Sequence, residues 1–173
     1  MHTSEKRVIT VLLTRYYNVF SSFLYYLTGR GYTHASIALD EKNNYYYSFN
    51  FKGFRKEFPQ KHRQRGGKSI SFKLAVNASD FEKIQHKIEM MEMEQSKLHY
   101  SRIGVFLCLL HIPHKRKNHY FCSQFVAEIL QLSDSIKMKK HASLYLPNQL
   151  PSELAKQACL KEITHNPLLP VNV

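Results

Sequence analysis

Hydrophobic and polar residues alternate with a period of two over several stretches of the chain, and this pattern predicts β-strands. Residues 7–14 are rich in β-branched and aliphatic side chains, as strands usually are. Residues 32–40 alternate between two faces, and residues 45–51 do so again after a polar turn, so the two stretches predict a hairpin. Residues 69–76 place apolar side chains at every second position and predict another strand.

Apolar residues spaced three and four positions apart predict the helices. The spacing of Ser79 and Glu82 predicts a capping box for the longest of them. The core stripe of that helix comprises Phe81, Ile84, Ile88 and Met91. Residues 101–110 are apolar almost all round, so we expect that helix to be buried. In chain order, the predicted helices are residues 23–27, 80–95, 101–110, 122–130 and 152–158.

Residues 52–68 carry seven Lys or Arg residues against the single acid Glu57. Pro59 and the pair Gly66-Gly67 interrupt the stretch, and such residues favour loops. We therefore interpret residues 52–68 as a long basic loop and the residues from about 159 onward as an extended tail. The whole chain, residues 1–173, is expected to form a single α+β domain in which an antiparallel sheet packs against helices.

Charge and cysteine content narrow the setting in which the protein works. The net charge of +12 and the isoelectric point of about 9.6 favour an anionic partner, such as nucleic acid, a phosphorylated metabolite or lipid headgroups. Three cysteines at distant positions make no disulfide framework and fit a reducing compartment. The apolar runs are too short for a signal peptide or a membrane span, so we expect a cytoplasmic protein without a transmembrane segment. We also expect no cofactor.

Cys122 is the candidate nucleophile, because helical periodicity starts there after the non-helical segment Asn118-His119-Tyr120. In a first helical turn, unpaired N–H groups and the helix dipole stabilise a thiolate. The same N–H groups can donate to an oxyanion formed on an acyl group. The alternative is that Cys122 is a small core residue, as free cysteines commonly are.

A cysteine nucleophile needs a base, usually a histidine, and a third group that orients the base. Among the 10 histidines, His34 lies in the middle of a predicted strand, although a hydrogen-bonded core histidine would occupy such a position equally well. On the return strand, Ser48 and Asn50 share a face. Either side chain is a candidate to hydrogen-bond the His34 ring.

The blocks around His34 and Cys122 together resemble the circularly permuted, YiiX-like branch of the NlpC-type papain-fold hydrolases. The similar segments are Tyr-Thr-His-Ala-Ser-Ile-Ala-Leu-Asp at 32–40, Tyr-Ser-Phe at 47–49, Arg-Ile-Gly at 102–104 and Tyr-Phe-Cys-Ser-Gln-Phe-Val-Ala at 120–127. In that branch, and in lecithin retinol acyltransferase-like enzymes, the histidine precedes the cysteine, as it does here. The resemblance implies a papain-like fold in which Cys122 is the nucleophile and His34 the general base. Many relatives carry His or Glu at the third position, where this chain offers Ser48 or Asn50.

The expected reaction is thiol-dependent hydrolysis or acyl transfer at an amide or ester bond. Tyr32, two residues before His34, is a candidate hydroxyl donor to the oxyanion. An anionic or acylated substrate would suit the positive charge of residues 52–68. The candidate substrate-binding cations there are Arg55, Lys56, Arg63 and Arg65.

Two other interpretations of the same residues stay open. A zinc site is one, because Cys-x2-His and His-x2-Cys pairs suit tetrahedral coordination. Its ligands would be Cys108, His111, His119 and Cys122. The other is a catalytically inactive papain-fold module that binds nucleic acid or anionic lipid through residues 52–68, with Phe54 and Phe58 among the cations.

Overall fold

One six-stranded antiparallel sheet forms the centre of the protein. The computed structural model describes residues 6–16, 31–65 and 67–168, and the side chain of residue 65 lies outside that description. The strands of the sheet are β1 (Lys6–Thr14), β2 (His34–Ala38), β3 (Tyr46–Asn50), β4 (Gly53–Glu57), β5 (Ser69–Asn77) and β8 (Leu160–His165), in the spatial order β4-β3-β2-β1-β5-β8. A separate parallel pair joins β6 (His99–Tyr100) to β7 (His119–Tyr120).

Five α-helices lie within the described ranges. They are α1 (Pro59–Arg65), α2 (Ala78–Met93), α3 (Arg102–Leu109), α4 (Cys122–Leu130) and α5 (Leu150–Leu154). Short 3-10 helices are found at Gln95–Lys97, Ala142–Leu144 and Pro147–Gln149. None of the helices in the described part of the chain is long and apolar enough to cross a membrane.

The main core forms where α2 and α4 pack on the sheet. Phe125 of α4 meets Phe49 of β3 and Phe54 of β4, with ring centroids 5.4 and 5.7 Å apart. Each of these phenylalanines is at most 1% exposed, and aromatic pairs in this distance range stabilise a core beyond the area that they bury. The packing therefore fixes the start of α4 against β2 and β3.

Most of the predicted regular elements are confirmed. Strands β1, β2, β3 and β5 occupy the predicted stretches, and the four residues of the predicted stripe on α2 are all buried. The predicted capping box is wrong, because Asn77 caps α2 by accepting a hydrogen bond from the Asp80 N–H at 2.7 Å. The predicted helix at 23–27 lies outside the described residues.

Residues 52–68 are not a loop, which corrects the interpretation from the sequence. Gly53 follows a tight turn with a φ of +87°, and the chain then pairs with β3 as β4. Pro59 begins α1, where its missing N–H and fixed φ suit the first turn of a helix. Phe54 is buried in the main core, so it does not lie on a surface that binds nucleic acid.

Two further expectations change at the other end of the chain. The extended tail from about 159 is β8, which adds an edge strand beside β5. The helix at 101–110 is buried on one face only, where Val105 and Cys108 pack against Phe121 and Leu146. The opposite face carries Ile103 and other apolar residues that remain more than half exposed, because no described element covers it.

Replacing Gly53 tests how the hairpin holds β4 in the sheet. A Cβ at this position would lie 2.3 Å from the Leu98 carbonyl oxygen, and the positive φ strains any other residue. We expect Gly53→Ala to lower the free energy of unfolding by about 2–4 kcal/mol, measured by urea denaturation. Lys52→Ala, in the same exposed turn, should change it by less than about 0.5 kcal/mol. Equal stability of both variants would contradict this account.

Candidate active site

Cys122 is the first residue of α4, as the periodicity predicts. Phe121 precedes it in an extended conformation and provides no side-chain cap, and the first helical bond runs from the Phe125 N–H to the Phe121 carbonyl at 3.0 Å. The N–H groups of the first turn therefore have no partner within the helix. They surround a thiol that is 5% exposed, at the positive end of the helix dipole.

His34 begins β2 and interacts with the Cys122 side chain, and this interaction is one of the causes that raise the pKa of the imidazole ring. The ring is 5% exposed. Burial acts to lower the pKa of His34, but interactions with Tyr16, Glu57 and Cys122 outweigh burial and raise that pKa well above its usual value. The surroundings of His34 thus favour the imidazolium form over the neutral ring.

Glu57, at the end of β4, is the closest carboxylate to the ring. Its Oε2 lies 2.9 Å from Nε2 of His34, and the side chain is fully buried. Burial acts to raise the pKa of Glu57, but the charges of His34, His62 and Lys61 outweigh burial and hold that pKa well below its usual range. An ionised Glu57 accepts a hydrogen bond, so Nε2 of His34 carries a proton and donates it.

Ser48 and Asn50 both lie beside this pair, although neither is its main hydrogen-bond acceptor. Ser48 Oγ lies 3.1 Å from His34 Nε2 and donates its own proton to the Ala35 carbonyl at 2.7 Å, so it can only accept from the ring. Asn50 Nδ2 donates to Glu57 Oε1 at 3.2 Å. Asn50 therefore supports the carboxylate, whereas Ser48 is a second acceptor for the same N–H.

His62 and Tyr16 enclose the pair from the side of α1. Nε2 of His62 lies 3.7 Å from Oε2 of Glu57, and Nδ1 of His62 forms a hydrogen bond with the Tyr16 hydroxyl. The Tyr16 ring stacks on His34 with 4.8 Å between centroids. Since both residues are buried, they shield the Glu57–His34 pair from water, and shielding strengthens its electrostatic interaction.

Two further tyrosines, Tyr100 and Tyr32, bear on the candidate site. Burial and the nearby charge of Cys122 raise the pKa of Tyr100, so its hydroxyl stays neutral. Tyr32, the predicted oxyanion donor, is half-buried against the main core. Burial raises the pKa of Tyr32 as well, so it also keeps its proton, and its role at the oxyanion stays a prediction.

The three predicted substrate-binding cations whose side chains the structure describes do not form one cluster. Lys56 Nζ lies 3.2 Å from Glu92 and 4.2 Å from the centre of the Tyr45 ring, and Arg55 is half-buried in β4. Arg63 lines a cavity of about 580 Å³ that also includes Lys73. The side chain of Arg65 lies outside the described residues.

Sequence reasoning missed Glu57, His62, Tyr16 and Tyr100. The available signal was that Glu57 is the single acid among seven cations in residues 52–68. Gly53 and Pro59 lie on either side of Glu57, and glycine and proline mark the boundaries of secondary-structure elements. A single acid between two such residues is compatible with the buried end of a strand.

The zinc alternative gains no support from the structure. Within the described ranges, no group of three or more His, Cys, Asp or Glu residues is placed to hold a metal ion. Cys108 is buried in α3, whereas His111 is exposed in the turn that follows it.

Comparison with known proteins gives no family for this chain. No protein-family model matches it, and no curated protein does so.

Thiol labelling tests whether Cys122 is activated. Burial raises the pKa of Cys108 to about 12 and also raises the pKa of Cys159, so both stay protonated at neutral pH. We expect iodoacetamide to modify Cys122 first, as read by peptide mass spectrometry, although Cys159 is the more exposed thiol. His34→Ala should slow the reaction, whereas the exposed His86→Ala should not. Equal labelling of the three thiols in the folded protein would contradict an activated Cys122.

The shifted pKa values of His34 and Glu57 predict a pH-dependent stability. The contribution of His34 is present below its usual pKa and is lost as pH rises through the raised value. The contribution of Glu57 is present above its usual pKa and is lost as pH falls through the lowered value. Both are therefore present between about pH 4.5 and 6.5.

Urea unfolding of Glu57→Gln checks this window. The difference in unfolding free energy from the wild type should be larger at about pH 5.5 than at about pH 8.5. Glu94→Gln, on a half-exposed side chain paired with Lys97, serves as the control and should show little difference at either pH. A pH-independent difference for Glu57→Gln would mean that the ion pair is absent.

Proposed function

We propose that this chain is a cysteine hydrolase or acyltransferase that acts on an amide or ester bond through Cys122, His34 and Glu57. The observation that carries the proposal is the buried, hydrogen-bonded pair His34–Glu57, whose imidazole interacts with Cys122 at the first residue of a helix. A nucleophile, a base and a group that orients the base are the parts that covalent acyl transfer requires.

In the proposed reaction, His34 holds the proton of the Cys122 thiol, and the thiolate attacks the substrate carbonyl carbon. The carbonyl oxygen takes the negative charge and accepts hydrogen bonds from N–H groups at the start of α4. The carbonyl then re-forms as the bond to the amine or alcohol breaks, and His34 protonates that leaving group. Water or an amine then attacks the thioester and gives its proton to His34, the C–S bond breaks, and the Cys122 thiolate takes the proton back from His34.

Glu57 has two roles in this scheme. Its hydrogen bond fixes the Nε2–H tautomer of His34, which leaves Nδ1 for the Cys122 proton. Its buried negative charge also stabilises the imidazolium that forms when the thiol ionises. Ser48, Asn50 and His62 are positioning residues in this proposal, because each of them contacts His34 or Glu57.

The fold supports the likeness to permuted NlpC-type papain-like proteins. The strand with His34 precedes the helix with Cys122 in the chain, and α4 packs on β2 and β3 of an antiparallel sheet. Glu57 supplies the third group from β4, one strand beyond the return strand where the family position was expected. We infer a papain-like fold from this combination, and an anionic or acylated substrate from the net charge of +12.

Acylation kinetics test the three roles. Incubation with a panel of activated ester and amide probes, followed by intact-protein mass spectrometry, should show one acyl group on Cys122 and none on Cys122→Ala. Glu57→Gln should acylate about 10- to 1,000-fold more slowly, and Ser48→Ala should lose about tenfold or less. Glu94→Gln is the matched control and should react at the wild-type rate.

Two results would contradict the proposal. An unchanged rate in Glu57→Gln would remove that residue from the catalytic series. Failure of every probe to acylate Cys122, together with oligonucleotide binding that Cys122→Ala leaves intact, would instead support the catalytically inactive binding module.

A further inference from the structure

The outer face of α3 carries a row of exposed apolar side chains. Ile103, Phe106 and Leu110 are 59%, 60% and 53% exposed, and their spacing of three and four places them on one side of the helix. Ile112 follows and is 47% exposed. Phe51 is 48% exposed, and its ring lies 4.9 Å from the ring of Tyr100 in the neighbouring β6. We call these five residues the α3 patch. Contiguous apolar surface of this kind marks an interaction site.

The surroundings of the α3 patch are positively charged. Between Glu94 and Glu128 the chain contains no acidic residue and five Lys or Arg residues. Arg102 lies over the Phe51 ring at 5.3 Å, and Arg116 lines a cavity of about 330 Å³ with Arg102 and Ile103. Two of these five residues pair with acids: Lys97 with Glu94 at 3.1 Å and Lys115 with Glu128 at 3.2 Å. The apolar row is therefore bordered by cations.

We propose that the α3 patch docks on the surface of a bilayer that contains anionic lipid. Aliphatic and aromatic side chains on one helix face, with Lys and Arg beside them, match a helix that lies in the membrane interface. The apolar side chains enter the boundary between headgroups and acyl chains, and the cations contact the anionic headgroups. Eight residues make α3 about 12 Å long, which suits insertion parallel to the surface.

Nucleic acid and protein partners fit these observations less well. Single-stranded nucleic acid is bound by aromatic rings that stack on bases, whereas three of the five patch residues are Ile or Leu. A second copy of this chain would bring a second cationic border against the first, and like charges repel. A bilayer supplies both the apolar and the anionic contact at once.

Vesicle co-sedimentation tests the proposal. The wild type should bind vesicles of equal parts phosphatidylcholine and phosphatidylserine, and it should bind phosphatidylcholine alone at least about tenfold more weakly. The triple variant Ile103→Ser, Phe106→Ser, Leu110→Ser should lose about tenfold or more in affinity. Arg102→Gln with Arg116→Gln and Lys117→Gln should weaken binding and reduce its dependence on salt.

Matched controls come from exposed residues elsewhere on the chain. Met90→Ser with Met93→Ser removes apolar surface from α2, and both side chains are exposed. Lys42→Gln, Lys87→Gln and Lys161→Gln remove three exposed cations. Both control variants should bind vesicles as the wild type does. Thermal unfolding of every variant should match the wild type, since all of the replaced side chains are at the surface.

Fluorescence provides a second, independent measurement. The chain contains no tryptophan, so Phe106→Trp introduces a single probe into the α3 patch. Its emission should shift to shorter wavelength on phosphatidylserine vesicles and be quenched by brominated lipid, whereas Met93→Trp should show neither change.

Three outcomes would overturn the proposal. They are wild-type affinity in the triple serine variant, a concentration-dependent dimer that forms through the patch without vesicle binding, and patch-dependent binding of an oligonucleotide without vesicle binding. Because Cys122→Ala should dock like the wild type, failure of the docking proposal is separable from failure of the proposed catalytic function.

Discussion

The buried ion pair between His34 and Glu57 is the constraint on which the rest of this site depends. A charged carboxylate with no exposed surface is tolerated only when hydrogen bonds and opposite charges compensate its lost hydration. Here His34, His62, Lys61 and Asn50 do so. Removing one partner of such a pair typically costs about 3–5 kcal/mol. The pairing therefore ties β4 and α1 to β2, and it connects the stability of the sheet edge to the orientation of the proposed base.

The sequence predicted the secondary-structure elements correctly where local residue patterns determine them. Strand β1 is marked by its run of β-branched and aliphatic residues. Strand β5, the apolar stripe of α2 and the start of α4 follow periodicities that depend only on local geometry. The positions of Cys122 at a helix start and of His34 on a strand were predictable for the same reason. Glu57 was missed because its main partner, His34, lies 23 positions away in the chain, and composition alone made residues 52–68 resemble a solvated surface. A pattern of charges does not indicate which single charge is buried.

Helix α3 shows a different limit of sequence patterns. An almost entirely apolar helix is compatible with burial in a core or with contact to another phase, since both environments exclude water. The elements that pack around such a helix decide which of the two environments it has. Val105 and Cys108 fill the contact with Phe121 and Leu146, which leaves Ile103, Phe106 and Leu110 on the far side. The spacing of apolar residues cannot indicate that only the inner face of α3 is buried.

The small β6–β7 pair links the α3 patch to the proposed nucleophile. The His99 N–H donates to the Asn118 carbonyl at 2.8 Å and the Ser101 N–H donates to the Tyr120 carbonyl at 2.9 Å. Ser101 then caps α3, and α4 begins at Cys122, two residues after Tyr120. The first turns of both helices are thus fixed to the same two hydrogen bonds. A surface that binds α3 would therefore lie at a fixed distance from Cys122, and the two proposals are joined by one piece of backbone geometry.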